Sequence, residues 1–252
     1  MSKFILSVKD LQKSYDGKKV VNGISFEVKK GEIFGILGPN GAGKTTTLEM
    51  IETLREIDGG SATIDGIDVA TNPYKIRGII GVQPQTPGFQ DKTKLSELIT
   101  MFAAAYGEKV DPKQFLDDVN LGDKANSYVE SLSGGQKQRF SIVTALVHSP
   151  KVFFLDEPTT GLDPQARRSL WKLIQEVRDR GISVIMTTHY MDEAEILCDR
   201  IAIMDSGNII ALDTPKKLIK DLLARGFTKS QHVEQANLED VFIDMTGKGL
   251  RI

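Results

Sequence analysis

Gly38, Pro39, Asn40, Gly41, Ala42, Gly43, Lys44 and Thr45 follow one another without interruption. Glycines at this spacing let a backbone fold around phosphate oxygens, with its N–H groups and the next helix start aimed at negative charge. The closing lysine adds a cation for the β- and γ-phosphates, and the threonine adds a hydroxyl for Mg²⁺. Asn40, Gly41, Ala42, Gly43, Lys44, Thr45 and Thr46 are therefore candidate contacts for a nucleoside triphosphate. Farther on, the apolar run from Lys151 to Leu155 ends in Asp156 and Glu157. Such a pair can divide its work, with Asp156 as the Mg²⁺ partner, directly or through water. Glu157 would then be the general base, or the group that orients the attacking water. A third run is Leu132, Ser133, Gly134, Gly135 and Gln136. Ser133 can cap a helix whose start, with its bare glycine backbone, makes a second anion site. One triphosphate cannot fill both sites if they lie on different lobes of one chain, so two copies are expected to meet.

These residues need elements to hold them. The apolar run from Glu32 to Leu37 reads as a buried strand feeding the loop, with a helix over 43–54 behind it. Strand patterns at 4–8 and 20–28 flank the turn residues Asp16 and Gly17, and 61–69 turns at Asp65 and Gly66. Residues 90–150 change texture. Leu95, Leu98, Ile99, Phe102 and Ala103 recur at helical spacing, Pro112 opens another helix, and Ser133 caps a third running to His148. Beyond Pro150 come a strand at 151–155, a helix at 164–180, a strand at 182–188 and a helix near 190–198. Two strands split at 205–208 and a helix from Pro215 complete the pattern. The 164–180 helix carries Asp163 as cap and Pro164 at its first position. Alternating strands and helices predict an α/β fold with a mainly parallel sheet, an N-terminal antiparallel β region and an inserted helical lobe. The expected division is a domain at 3–225, with its α/β core at 3–89 and 151–225 and its helical subdomain at 90–150. A short appendage at 226–252 follows.

The 252 residues carry a net charge of −2, which gives no field argument for nucleic acid. A single cysteine, Cys198, excludes an intrachain disulfide and reads as a small buried apolar residue. No run approaches the ~20 apolar residues that span a bilayer. Lys3 and Lys9 come too early for a secretory signal. The chain is expected to be soluble and intracellular, reaching a membrane only through a partner.

The loop 38–45, the run 132–136 and the stretch from Phe154 to Asp163 together resemble the nucleotide-binding subunit of an ATP-binding cassette (ABC) transporter. Tyr15, the run from Ile80 to Gln85, and Thr188 with His189 extend the resemblance over roughly 3–215. It implies a P-loop NTPase core and an ATPase using ATP and Mg²⁺. It also implies a homodimer, or a paired cassette, in the ATP-bound state. Ser133, Gly134, Gly135 and Gln136 of one copy would cover the γ-phosphate held by the other, with Asp163 as a cross-dimer contact. Gln85 would sit near Mg²⁺ and the attacking water, with Gln83 as the alternative if the register slips. His189 would contact the γ-phosphate and fix the water and Glu157 in place. Tyr15 would stack on adenine, and no Asn-Lys-x-Asp run is present to read guanine. The implied partner is a separate transmembrane permease subunit at the cytoplasmic face of the cell membrane, with no nucleic acid. Phe89, Leu95, Leu98 and Phe102 could line its docking groove, although at least two of them are expected to be lobe core.

The stretch from Tyr190 to Met204 and the tail from Leu238 to Gly247 resemble export cassettes whose membrane subunit is a separate polypeptide. The acidic segment that precedes the signature in fused exporters is missing at 126–131, and no large regulatory domain is expected after Gly247. The competing reading is a soluble ABC ATPase serving a cytosolic assembly complex.

Overall fold

A computed structural model describes residues 3–86 and 88–227. Two long strands, β1 (Phe4–Tyr15) and β2 (Lys18–Lys29), pair antiparallel about Asp16 and Gly17. They extend well past the apolar stretches that announce them, because their lysines alternate outward while Leu6, Val8, Leu11, Val21 and Val28 point into the core. Strand β3 (Ile33–Leu37) feeds the loop and helix α1 (Lys44–Ile51). That helix ends short of the predicted residue 54, since Thr53 adopts a φ of 66°. Strands β4 (Gly59–Ile64) and β5 (Ile67–Asp68) follow, then helix α2 (Pro73–Arg77) and strand β6 (Ile80–Gln83). The helical stretch holds α3 (Leu95–Ala105), α4 (Pro112–Asp118) and α5 (Gly134–Ala145), the last stopping before His148. Next come β7 (Val152–Asp156), α6 (Pro164–Asp179), β8 (Ser183–Thr188) and α7 (Met191–Leu197). Strands β9 (Arg200–Asp205) and β10 (Asn208–Asp213) and helix α8 (Pro215–Ala224) close the series.

One antiparallel sheet runs β2-β1-β4-β5, and a six-stranded sheet runs β10-β9-β3-β8-β7-β6. The larger sheet is parallel except for β10 against β9. Its central strands β3, β7 and β8 are buried along their whole length, as expected of parallel strands covered on both faces. Alternate residues serve two interiors. Phe34, Ile36 and Phe154 face the antiparallel sheet, while Ile33, Leu37, Phe153 and Leu155 face the helices. The helix-side interior reaches from Leu95, Leu98 and Leu116 through Phe140 to Leu155, so lobe and sheet share it. Cys198 lies within it. Burial pushes its thiol well above the ordinary range, and a Cβ on Gly35 would sit 2.6 Å from its Sγ.

The register decides where chemistry can occur. Leu37 lies opposite Thr188, and Asp156 lies opposite Thr187. Strands β3, β7 and β8 therefore end together, and the phosphate loop, Glu157 and His189 leave the sheet along one edge. Residues Met1–Leu218 form one compact unit and Ile219–Ile252 a second. The tail from Leu238 to Gly247 lies outside the described residues. No helix among the described residues is long and apolar enough to cross a membrane.

Candidate nucleotide site

Glycine is forced at both ends of the loop. A Cβ on Gly38 would lie 2.2 Å from the Met204 carbonyl oxygen, and Gly43 has a φ of 101° with its Cβ position 2.6 Å from the Val20 oxygen. The turn is tied to the β9–β10 connection, where Gly207 N donates to Ala42 O at 3.1 Å. Lys44 is buried. Its Nζ donates to Gly38 O at 2.9 Å and Pro39 O at 3.1 Å, and lies 3.2 Å from Glu157 Oε1. Thr45 Oγ1 donates to Asp156 Oδ2 at 3.0 Å. Thr187 Oγ1 donates to Asp156 Oδ1 and accepts from Glu157 N at 3.0 Å.

Glu157 is the hub. Its φ of 47° lies in the left-handed region, which costs a non-glycine residue about 1–3 kcal/mol and persists only where the surroundings enforce it. The enforcing contacts are Thr187 O and Oγ1 on its N–H. Around its carboxylate stand Lys44, His189 Nδ1 at 3.1 Å from Oε2, Gln85 Nε2 at 3.4 Å and Thr160 Oγ1 at 3.3 Å. The His189 approach lacks hydrogen-bond alignment. Burial raises the proton affinity of Glu157. The hydrogen bond and charge of Lys44, helped by His189, more than offset this and hold it below the usual carboxylate range. An ionised carboxylate so placed accepts a hydrogen bond from water.

A cavity of about 350 Å³ opens here, lined by Asn40, Gly41, Gly43, Lys44, Thr45, Thr46, Gln85 and Glu157, with Val20. Of the two glutamines, Gln85 is the one at the cavity. Gln83 is buried as the last residue of β6, with its Nε2 donating to Pro84 O at 2.7 Å. The oxygens of Thr45 and Asp156 form a hard donor set that fits Mg²⁺, an ion that keeps waters and phosphate oxygens for its other positions. No group of three or more His, Cys, Asp or Glu that could hold a metal ion occurs among the described residues.

Other candidates lie elsewhere. Ser133 caps α5, accepting from Gln136 N at 3.4 Å while its own N–H donates to Gln136 Oε1 at 2.9 Å. Ser133 and Gly134 are exposed, and neither they nor Gly135 and Gln136 line the cavity around Lys44. Asp163 caps α6 at 2.8 Å from Ala166 N and is also exposed. Tyr15 is 37 % exposed at the end of β1, with Lys13 Nζ 5.7 Å and Arg55 Cζ 5.6 Å from its ring centroid, and is not among the cavity residues. Leu95 and Leu98 are core, whereas Phe89 and Phe102 meet edge to face at 6.5 Å and line a separate groove of about 330 Å³. Sequence reasoning passed over Thr187, Thr160 and Val20. Two threonines closing an apolar strand are a signal for Thr187, while nothing marks Val20. It also missed Glu52, buried at the end of α1, whose carboxyl is pushed up to about 8 by burial and by the charges of Asp156 and Glu49.

Comparison with known proteins agrees with this geometry. A model of the ABC transporter family matches residues 21–160. The linearmycin resistance ATP-binding protein LnrL of Bacillus subtilis is 39 % identical over 86 % of this chain and 72 % of its own length. The Nod factor export ATP-binding protein I of Burkholderia orbicola is 40 % identical, over 87 % of this chain and 74 % of that protein. Among solved structures, an ATP-binding subunit of an ABC transporter superposes with a TM-score of 0.79 at 30 % identity, covering 96 % of this chain and 99 % of that one. CbiO1 from Clostridium perfringens, part of the ABC transporter complex CbiONQ, gives 0.78 at 29 % identity, covering 89 % and 94 %.

Proposed function

The chain belongs to the ABC transporter family as an ATP-binding subunit that hydrolyses ATP, and from that premise we propose that two copies close over two Mg-ATP to drive a separate transmembrane exporter. One observation carries this reading. The cavity that gathers Lys44, Thr45 and Glu157 contains no residue of the Ser133 helix start, and that helix start faces solvent. This separation supports a head-to-tail pairing, with a second copy or a paired cassette, that brings the two halves together.

In this mechanism the loop amides and Lys44 bind the triphosphate, Lys44 exchanging its carbonyl partners for phosphate oxygens. Thr45 and Asp156 would hold Mg²⁺, which supplies charge neutralisation at the phosphates when bound. Glu157 orients the attacking water, with Gln85 and His189 steadying its carboxylate. Ser133, Gly134, Gly135 and Gln136 of the partner copy cap the γ-phosphate, and Asp163 contacts the partner. Tyr15 stacks on the adenine ring. ATP favours the closed pair through contacts that the open pair lacks. The groove holding Phe89, Phe102, Tyr106, Arg77, Glu52 and His148 receives a short cytoplasmic helix of the membrane subunit. That docking places the chain peripherally on the cytoplasmic face of the membrane. Export is favoured by relatives named for Nod factor export and linearmycin resistance. The reading as a soluble cassette of a cytosolic assembly gives way to the transporter family.

The decisive experiment is Glu157→Gln with saturating Mg-ATP, followed by gel filtration. Turnover should fall by about 10³-fold while ATP binding persists and a nucleotide-loaded dimer accumulates. A variant that stays monomeric under those conditions would sink the paired site.

A further inference from the structure

Glu193 is a buried carboxyl that the proposed chemistry does not use. It sits in the first turn of α7, just beyond His189, with 0 % exposure. Its Oε1 accepts from Trp171 Nε1 of α6 at 3.0 Å. The hydroxyls of Thr188 and Thr159 face the same carboxyl, yet Oε2 and the buried Thr159 Oγ1 each lack an aligned hydrogen bond. Thr188 Oγ1 already accepts from Tyr190 N at 3.0 Å, which leaves its proton to donate. Four segments therefore converge on one side chain: the stretch after Glu157, the end of β8, α6 and α7.

A carboxyl whose only task was to pair Trp171 would be a costly choice at this depth, because its second oxygen is stripped of water for nothing. Burial does raise its proton affinity, against the Trp171 hydrogen bond, the nearby hydroxyls of Thr188 and Thr159 and the charge of Arg167. Arg167 is shared outward, 3.7 Å from Asp192 Oδ2 and 4.6 Å from the Tyr190 ring centroid, with that ring 4.1 Å from the His189 ring. Glu193 faces two short segments at once, a second bridge beside the Thr187 contacts on the Glu157 N–H. Thr159 lies two residues after Glu157, and Thr188 lies next to His189.

We infer that Glu193 is a positioning residue for hydrolysis, whose carboxyl, anchored on Trp171 and facing Thr159 and Thr188, works with the Thr187 contacts on Glu157 to hold the separation of Glu157 from His189. The inference rests on the reading of Glu157 and His189 as the hydrolytic pair. A misplacement of about 1 Å at a reacting centre can cost on the order of 10²-fold in rate. A tether between these segments is therefore felt in turnover before it is felt in binding.

The test is steady-state Mg-ATP hydrolysis by the full chain, with ATP affinity and Tm measured on the same preparations. Glu193→Leu keeps the bulk and removes the acceptors, so kcat should fall about tenfold or more while KM stays within about twofold. Glu193→Gln should recover most of that loss, since its carbonyl can accept from Trp171 and its amide can donate to a threonine hydroxyl. Glu157→Gln, run beside them, separates the two layers of the reading. If Glu157→Gln is inactive but Glu193→Leu turns over within about twofold of the parent, the positioning role is refuted and the hydrolytic pair stands. Full turnover by Glu157→Gln refutes both. A Glu193→Leu defect that follows the loss of folded protein, raises KM with it and is not recovered by glutamine assigns Glu193 to stability alone and overturns the inference. Should the leucine variant not fold, Glu193→Asp shortens the tether by one methylene. Reduced kcat at constant KM then supports the role, and unchanged kcat overturns it.

Discussion

The start of α1 and the start of α5 offer the same chemistry, a helix end with glycine before it, but they are built in opposite ways. The α1 start is sealed within its own chain. Gly38 and Gly43 are pressed against the Met204 and Val20 oxygens, and Lys44 is satisfied by two carbonyls and Glu157. The α5 start carries its own capping box, and a Cβ on Gly134 would meet nothing within 4 Å. Gly135 is bound inward, 2.9 Å from the Ala166 methyl at its Cβ position. Glycine thus serves fit in the first case and outside access in the second. A rigid half and an open half are what a site completed by another molecule requires.

Breaking the open half alone gives the largest contrast. Ser133→Arg should lower hydrolysis by about 10²–10³-fold and leave ATP binding to the single chain unchanged, checked by equilibrium binding and phosphate release. Equal losses in both would return the signature to its own chain. Breaking the sealed half should act on binding itself: Lys44→Ala removes charge-assisted bonds and should weaken ATP affinity about tenfold to a hundredfold in a titration. Phe89→Asp alters the groove and not the loop or the Ser133 cap. ATP binding should persist while co-purification with the membrane subunit falls about tenfold, and a loss of nucleotide binding would remove the groove from docking.

A last contrast, read per pH unit, sharpens how tightly the sealed half is packed. The Glu52 carboxyl is raised from 4.5 to about 8 in the folded chain. The stability its proton provides is therefore complete below about pH 4.5 and is lost as pH rises toward 8. Over that window, without nucleotide or Mg²⁺, the parent should lose about 1 kcal/mol per pH unit relative to Glu52→Gln in chemical denaturation. Parallel curves would show that Glu52 ionises freely.

Much of this was legible because the loop and acidic strand end are contiguous in the chain and need only their own elements to form. Helical spacing located α3, but it could not tell that Leu95 and Leu98 turn into the shared interior while Phe102 stays half exposed. Periodicity reports an element's faces, not its neighbours. The choice between Gln83 and Gln85 waited on where β6 ends. The strand holds Gln83 against Leu155, and Gln85 escapes beyond it. The φ of Glu157 left no trace in residue type, since glutamate has no preference for that region and only Thr187 imposes it.

The interior shared by lobe and sheet has a mechanical meaning. Leu98, Phe140 and Leu155 belong to one packed cluster, and close-packed interiors transmit strain because they compress little. Phe89 leans on Phe140 at one side of this cluster, and Leu155 lies at the other, two residues before Glu157. In the proposed transporter the chain would act as a stiff lever, turning at its contacts with other molecules.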